Sequence, residues 1–314
     1  MTPVALGWIG RKMEQKRPLL SIRTGLLFLV PALVFVTIFL IFPFVWIILV
    51  SFTNETLTGT GALNPQYVGL DNYTRLFDFE TWMLRGKFGN SLLVTLQFVF
   101  GSAMIGQVGL GLSLAIAFYR RKGFIREFVN TLVILAWIIP DVVVAFSWIA
   151  FLDRDFGTLN AILSALGLGR PDWQLAHSLL AIIIFNTWRG TAFSMLLFSS
   201  ALETIPPSYL ETAEVVGASF WQKLRDILMP LLRGHILTDL ILITLWTFNT
   251  FGPFLITGGG PAYKTDLVSI YTYRTAFQFY EFGQGGAIAV VVMLINFMLA
   301  LVYLAMLRKQ AVYA

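Results

Sequence analysis

Six long apolar stretches divide the chain, at residues 26–52, 91–119, 128–152, 175–202, 235–257 and 286–307. Each holds the about 20 apolar residues that an α-helix needs to cross the hydrocarbon core of a bilayer. The first stretch is too long for the apolar region of a signal peptide, and no small-residue cleavage site follows it, so we predict an uncleaved span. The pattern therefore predicts an all-α, polytopic membrane bundle with six transmembrane helices.

Composition supports this prediction and narrows the chemistry. Of the 314 residues, 57% are hydrophobic and only 12% are charged, whereas roughly a quarter of a soluble domain is charged. The chain has no cysteine and two histidines, which excludes disulfides and thiolates and leaves little for a zinc site. A membrane-embedded enzyme would need a paired acid and base, or a metal set, at one interface, and the sequence shows neither. We predict no catalytic residue, no metal site and no bound cofactor.

Basic residues occur in alternate loops and set the predicted orientation. They cluster before the first span, after the second and fourth spans, and after the last span. The clusters are Arg11, Lys12, Lys16, Arg17 and Arg23; Arg120, Arg121, Lys122 and Arg126; Lys223, Arg225 and Arg233; and Arg308 and Lys309. We predict a cytoplasmic arm at 1–25, a six-span domain at 26–307 and a cytoplasmic tail at 308–314. The net charge of +5 then reflects topology and not nucleic-acid binding.

The cytoplasmic loop at 205–234 predicts two short helices. Pro206 and Pro207 suit the first turn of a new helix after the fourth span, with Ser208 as its expected cap. This helix should run over 209–216 and end at Gly217. Pro230 is then expected to kink the chain into the fifth span. A one-sided apolar stripe marks the second helix at Phe220, Leu224, Ile227 and Leu228. On amphipathicity alone, the loop could also be a hairpin lying in the lipid interface.

A spaced motif in this loop carries a family resemblance. Glu211, Thr212 and Ala213 precede Gly217, which stands six positions after the glutamate, and Ile-x-x-Pro follows at 227–230. This motif resembles the EAA loop of permease subunits of ATP-binding-cassette importers. Thr212 replaces the usual alanine, and Val216 stands where sugar permeases often have aspartate. Segments 155–160, 188–190, 248–252 and 258–261 resemble the carbohydrate-uptake branch, the group that contains the first permease subunit of the maltose transporter. The large periplasmic insertion of that subunit is absent.

The resemblance implies a type I ABC importer permease fold in a bacterial or archaeal cytoplasmic (inner) membrane. The chain would form half of a sugar pathway that works by alternating access. Its partners would be a second homologous permease, two ATPase subunits and an extracytoplasmic substrate-binding protein. ATP and Mg²⁺ would be used by the ATPase, since this chain has no Gly-x-x-x-x-Gly-Lys-Ser/Thr loop.

The resemblance also assigns a coupling surface to the loop at 205–234. Glu211 would pair with a basic residue of the ATPase, and Gly217 would let two helices meet closely. The residues expected at this surface are Tyr209, Glu211, Thr212, Ala213 and Gly217.

Polar residues within the spans are candidates for the solute path, because burying them in lipid is costly. At 1.5 Å per residue, Asp141, Arg189 and Asn249 each lie roughly 20 Å into their predicted spans. Local similarity to the sugar-uptake branch places the substrate path at Asn186, Arg189, Gly190, Phe193, Thr247, Phe248 and Asn249, and depth adds Asp141.

The role of the two charged residues stays open between two interpretations. Asp141 and Arg189 either contact solute or form a buried ion pair that only fixes helix packing. Arg189 would suit a phosphorylated or sulfonated sugar without requiring one. Which sugar is carried does not follow from the sequence.

An ATP-independent secondary transporter is the alternative function, with Asp141 as a proton-coupling site. That class predicts an inverted internal repeat. We find no repeat, and the loop around Glu211 does not fit that class.

Two further features predict packing. Small residues in the second span are expected to mark close helix packing against the second permease; they are Gly101, Gly106, Gly109 and Gly111. Asp239, about one turn inside the fifth predicted span, is expected to act as a cap or to reach the cytoplasmic interface.

Overall fold

The structure is a computed structural model that describes residues 22–311. The predicted basic cluster at Arg11, Lys12, Lys16 and Arg17 lies outside these residues, as do the side chains of Arg23 and Lys309. The described chain is helical, and within it only an isolated bridge pairs Thr53 with Tyr67 in extended conformation.

The chain divides into two units, one up to Trp46 and one from Ile47 onward. The first helical run contains α1 (Ile22–Val36), a π-helical turn (Thr37–Ile41) and α2 (Phe42–Val50). Its apolar part, Leu26–Val50, is long enough to cross a membrane.

The remaining helices follow in chain order. The second predicted span is a continuous run of α5 (Phe88–Val99), a π-helical segment (Phe100–Gln107) and α6 (Val108–Phe118), preceded by the short α3 (Thr60–Leu63) and α4 (Asp71–Leu76). Next come α7 (Phe124–Ile138), α8 (Asp141–Phe151), α9 (Thr158–Ala165), α10 (Ser178–Glu203) and α11 (Pro207–Val215). The fifth run joins α12 (Phe220–Lys223), a π-helical turn (Leu224–Leu228) and α13 (Met229–Phe248). Last come α14 (Phe254–Thr257), α15 (Val268–Tyr273), a π-helical turn (Arg274–Gln278) and α16 (Phe282–Ala311).

Within residues 22–311, five helical runs are long and apolar enough to span a membrane, and there are six if the bent pair of α7 and α8 counts as one span. The five are Leu26–Val50, Phe88–Phe118, Ser178–Glu203, Phe220–Phe248 and Phe282–Arg308. The prediction of an all-α membrane bundle is confirmed.

The third predicted span is not one helix. α7 ends at Ile138, α8 begins at Asp141, and their axes differ by 109°. Pro140 explains the break, because proline disfavours the helical conformation of the residue before it, and Ile139 is extended with ψ 134°. The depth of about 20 Å that we calculated for Asp141 assumed a continuous helix and is therefore wrong. Asp141 is the first residue of a new helix.

The predicted bounds of the fifth span are also wrong. The helical run begins at Phe220, 15 residues before the expected start at 235, and ends at Phe248. Pro230 does not interrupt it, because a π-helical turn directly precedes the proline and adjusts the local hydrogen bonding. At the other end, Asn249 leaves helical geometry, and Pro253 begins the separate short helix α14.

Glycines of the second span let it pack closely on α10. A Cβ added at Gly101 would lie 3.0 Å from the Ile183 side chain, and one at Gly106 would collide with Thr187. Gly111 faces Ser194 in the same way, whereas Gly109 has no atom within 4 Å. Three of the four glycines therefore pack within this chain, and the expectation that they pack against the second permease is wrong for these three.

A buried ion pair connects Asp266, just before α15, with Arg274, just after it. Arg274 donates from both terminal nitrogens to Asp266, at 2.7 and 2.8 Å, and the Ser91 hydroxyl donates to the same carboxylate at 2.8 Å. Burial raises the pKa of the Asp266 carboxyl, while the contacts with Arg274 and Ser91 act in the opposite direction. The guanidinium also lies 4.5 Å from the ring centroid of Tyr263. This network links the second span to the chain between α14 and α15.

Asp239 is neither a helix cap nor exposed at the surface, contrary to our expectation. It lies in the middle of α13 with no exposed surface, beside Ser194 of α10. Neither carboxylate oxygen accepts a hydrogen bond from the described part of the chain. The prediction failed because the helix begins 15 residues earlier than the apolar pattern indicated, which moves Asp239 from the first turn into the interior.

Candidate functional site

A cavity of about 140 Å³ lies where the second span, α7, α8, α10 and α13 meet. Six of the eight sequence-predicted path residues line it: Asp141, Asn186, Arg189, Gly190, Phe193 and Thr247. Five other residues also line it: Gln107, Trp137, Ile243, Trp246 and Thr250. The cavity combines one ion pair, neutral polar groups and an aromatic wall.

Asp141, the first residue of α8 after the break, forms an ion pair with Arg189 of α10. The Arg189 guanidinium also donates to the Ile139 backbone carbonyl at 3.4 Å. Arg189 therefore contacts both sides of the break at Pro140. The pair is not fully buried, since the side chain of Asp141 is 54% exposed and that of Arg189 is 21% exposed. Both partners keep polar surface toward the cavity.

Amide side chains form the neutral polar wall. Asn186 donates to the Ser102 hydroxyl at 2.9 Å, which orients its amide from the second span. Gln107 donates to the Thr247 hydroxyl at 3.4 Å, and its side-chain oxygen faces the α-carbon of Gly190. Gln107 is only 1% exposed. A polar residue in the apolar second span was the signal that could have identified Gln107 from sequence.

Three aromatic rings also line the cavity. The ring centroids of Trp137 and Phe193 are 6.1 Å apart, those of Trp137 and Trp246 are 6.1 Å apart, and those of Phe193 and Trp246 are 5.9 Å apart. All three pairs meet edge to face, which suits the quadrupoles of the rings. Trp137 comes from α7, directly before the Pro140 break, so its place in the cavity depends on a bend that the apolar pattern did not show.

Phe248 and Asn249 do not line this cavity. Phe248 is 2% exposed and packs in the hydrophobic core. Asn249 exchanges hydrogen bonds with Asn296 of α16, at 3.1 Å in each direction. Both amides face a separate, more open cavity of about 690 Å³.

The loop at 205–234 presents the side chain of Glu211 at the surface. Glu211 lies in α11, and its carboxylate is 3.7 Å from the guanidinium of Arg120, which follows the second span. Ser208 does not cap α11, because Pro206 occupies the N-cap position and Pro207 the first turn. Ser219 caps α12 instead, through a reciprocal capping box with Gln222.

Gly217 ends α11 through its backbone conformation. Its φ is +76°, the Gly217 N–H donates to the Glu214 carbonyl, and the Ala218 N–H donates to the Ala213 carbonyl. This is a Schellman motif, which favours glycine. A Cβ added at Gly217 would have no atom within 4 Å, so the expectation that Gly217 lets two helices meet closely is wrong.

Exposed apolar side chains occur on the same loop as Glu211. Val215 is 88% exposed, and Val216, Trp221 and Tyr209 are also well exposed. By contrast, Ala213 and Leu210 face the protein interior. An exposed acidic group and exposed apolar side chains on one loop have the composition of a protein-binding surface.

Comparisons with known proteins relate this architecture to transport. The family model described as binding-protein-dependent transport system inner membrane component matches residues 107–311. The sulfoquinovosyl glycerol transport system permease protein SmoG of Agrobacterium fabrum is 29% identical, over 91% of each chain. The trehalose/maltose transport system permease protein MalF of Thermococcus litoralis is 30% identical, over 90% of this chain and 92% of the relative.

A solved structure shares the fold. One chain of a bacterial alginate ABC transporter, crystallised in complex with an alginate pentasaccharide-bound periplasmic protein, gives a TM-score of 0.76. It is 24% identical, and the match covers 91% of this chain and 95% of that one. The fold is therefore that of this class of transporter subunit.

Proposed function

Because the chain belongs to the family of binding-protein-dependent transport system inner membrane components, we propose that it is the permease subunit of an ATP-driven sugar importer. Its membrane-spanning helices form half of the translocation pathway, which opens by alternating access. The relatives support a sugar cargo, since SmoG is named for sulfoquinovosyl glycerol transport and MalF for trehalose/maltose transport. They give no support to the alternative of an ATP-independent transporter.

The observation that carries the sugar assignment is the composition of the 140 Å³ cavity. Sugar hydroxyls need donors and acceptors, which Asn186, Arg189 and Asp141 supply. The C–H face of a sugar ring needs an apolar surface, which Trp137 and Trp246 supply. These groups come from four helices that the fold brings together around one space, as expected of a solute path. Gly190, Phe193 and Thr247 complete our proposed path.

The loop at 205–234 is our proposed docking surface for the ATPase. Glu211 lies on a short helix with defined ends, in a loop with several exposed apolar side chains, so it can enter a groove on a partner. Closure of two ATPase subunits around ATP and Mg²⁺ would move these helices and rock the permease halves. Thr212 and Ala213 lie on the same helix, and Tyr209 is one of the exposed side chains.

We further propose the orientation and the assembly. Arg120, Arg121 and Lys122 lie between the second span and α7, and Arg126 lies in the first turn of α7. Arg120 contacts Glu211 of the loop at 205–234, and this basic cluster would mark the cytoplasmic side. Both termini would then be cytoplasmic, with an arm at 1–25, the permease domain at 26–307 and a tail at 308–314. A second permease, two ATPases and an extracytoplasmic binding protein would complete the importer.

Copurification combined with one substitution tests this function. The tagged chain, extracted from its native membrane, should bring down an ATP-binding-cassette ATPase and a second permease. Glu211→Ala should lose the ATPase, keep the second permease and abolish sugar uptake. The matched control is Glu80→Ala, which removes an exposed acid between α4 and the second span and should change nothing. Purification without any ATPase, together with normal uptake by Glu211→Ala, would overturn the proposal.

A further inference from the structure

We propose that the importer selects an uncharged sugar, because the ion pair between Asp141 and Arg189 leaves no net charge on the part of the path that this chain lines. This inference rests on the proposed function and specifies its substrate class.

Charge is balanced within the cavity. Eleven described residues line it, and among them Asp141 and Arg189 alone carry ionisable side chains. Each charge has its counter-charge in direct contact. The lining therefore presents no net charge to a solute.

An anionic sugar would have to break this balance. A carboxylate, sulfonate or phosphate would need the Arg189 guanidinium, which is already bonded to Asp141 and to the Ile139 carbonyl. Taking over the guanidinium would leave the Asp141 carboxylate without its partner and beside the bound anion. The two negative charges would then repel each other, and this repulsion opposes binding of the anion. A cationic sugar would leave Arg189 uncompensated for the same reason.

An uncharged sugar can bind with the pair intact. More than half of the Asp141 side chain is exposed, so its oxygens can accept from sugar hydroxyls while they stay beside Arg189. The neighbouring groups, the Asn186 amide and the rings of Trp137 and Trp246, are also neutral. An uncharged sugar can therefore contact all of these groups while Asp141 and Arg189 stay paired.

Two probes that differ in one group measure this selectivity. Methyl glucoside carries CH₂OH where methyl glucuronoside carries a carboxylate. Binding of each tritiated sugar is measured by equilibrium dialysis against the membrane complex captured through the tagged chain in lipid nanodiscs. We expect the wild-type complex to bind the glucoside at least about tenfold more tightly, which corresponds to one unfavourable charge interaction.

Charge variants then identify the pair as the cause. Asp141→Asn leaves Arg189 uncompensated and should shift the preference toward the glucuronoside by about tenfold or more. The double variant Asp141→Asn with Arg189→Gln has a cavity without net charge and should again bind the glucoside more tightly. Asp155→Asn, which makes the same charge change at an exposed site outside the cavity, should leave the preference as in the wild type.

The possible results separate the two proposals. Equal or tighter binding of the glucuronoside by the wild-type complex would overturn the inference alone. The same holds if Asp141→Asn leaves the preference unchanged. Purification of the tagged chain without any ATP-binding-cassette ATPase would instead overturn the importer function, and the inference with it.

Discussion

The side-chain amide of Gln107 fills the space beside the α-carbon of Gly190. The second span and α10 are so close at this point that a Cβ on Gly190 would collide with the amide oxygen of Gln107. Gln107 in turn donates to Thr247 of α13. One glycine thus lets an amide from a neighbouring helix reach the cavity and join three helices at its wall.

Replacing Gly190 should damage the cavity more than the fold. In Gly190→Ala the new methyl group displaces the flexible end of Gln107 and breaks its bond to Thr247, so we expect sugar uptake to fall at least about tenfold. Uptake and gel-filtration profile are measured together. Gly109→Ala is the control, because no atom lies within 4 Å of the added methyl. Normal uptake by Gly190→Ala would show that the position of Gln107 is not needed.

Arg189 should require more than a positive charge. It bonds the carboxylate of Asp141 and the carbonyl of Ile139 together, which suits the several donors of a guanidinium. We expect Arg189→Met to abolish uptake and Arg189→Lys to restore only a small part of it, with normal amounts of protein in the membrane. Wild-type uptake by Arg189→Met would remove this residue from the path.

Gly217 should tolerate asparagine better than alanine. Its φ of +76° costs an ordinary L-residue about 1–2 kcal/mol, whereas asparagine enters this conformation more readily. We expect Gly217→Ala to weaken ATPase association by about fivefold or more, and Gly217→Asn to weaken it less. Binding of the purified ATPase to each variant measures this. Equal affinities for Ala and Asn would show that φ is not the reason for glycine.

Removing Arg274 should destabilise the fold. Arg274→Met leaves the buried Asp266 carboxylate with only the Ser91 hydroxyl as a side-chain donor, and breaking a buried pair typically costs about 3–5 kcal/mol. We expect the melting temperature, measured by fluorescence-detected gel filtration, to fall by roughly 10 °C. Arg225→Met, which removes a fully exposed pair with Asp226, is the control and should melt like the wild type. A normal melting temperature for Arg274→Met would contradict a structural role for the pair.

Asp239 should tolerate loss of its charge. A buried carboxylate that accepts no hydrogen bond is costly, so the neutral and similarly shaped Asn should leave the melting temperature equal or higher. Asp239→Lys should prevent the protein from accumulating, since a longer charged group cannot fit there. Membrane protein levels and melting temperatures measure both effects. A strong loss of stability in Asp239→Asn would mean that the carboxylate has a partner in the assembled transporter.

Much of the coupling loop could be predicted because its signals are local. Pro207 begins α11 in its first turn, and Gly217 ends it with a positive φ. Both effects arise within one or two residues of the backbone. The reason for Gly217 was nevertheless wrong, because whether a second helix packs beside it is not a local property.

The sequence by itself determined the class of fold, because the length of each apolar stretch decides how many helices can cross a bilayer. Only the tertiary structure decided which side chains share a cavity. Successive helical residues point about 100° apart, so Thr247 reaches the cavity, Phe248 the core and the next residue, Asn249, the amide of Asn296. The rotation of each helix, and the meeting of Asp141 with an arginine 48 positions later, depend on packing between distant segments.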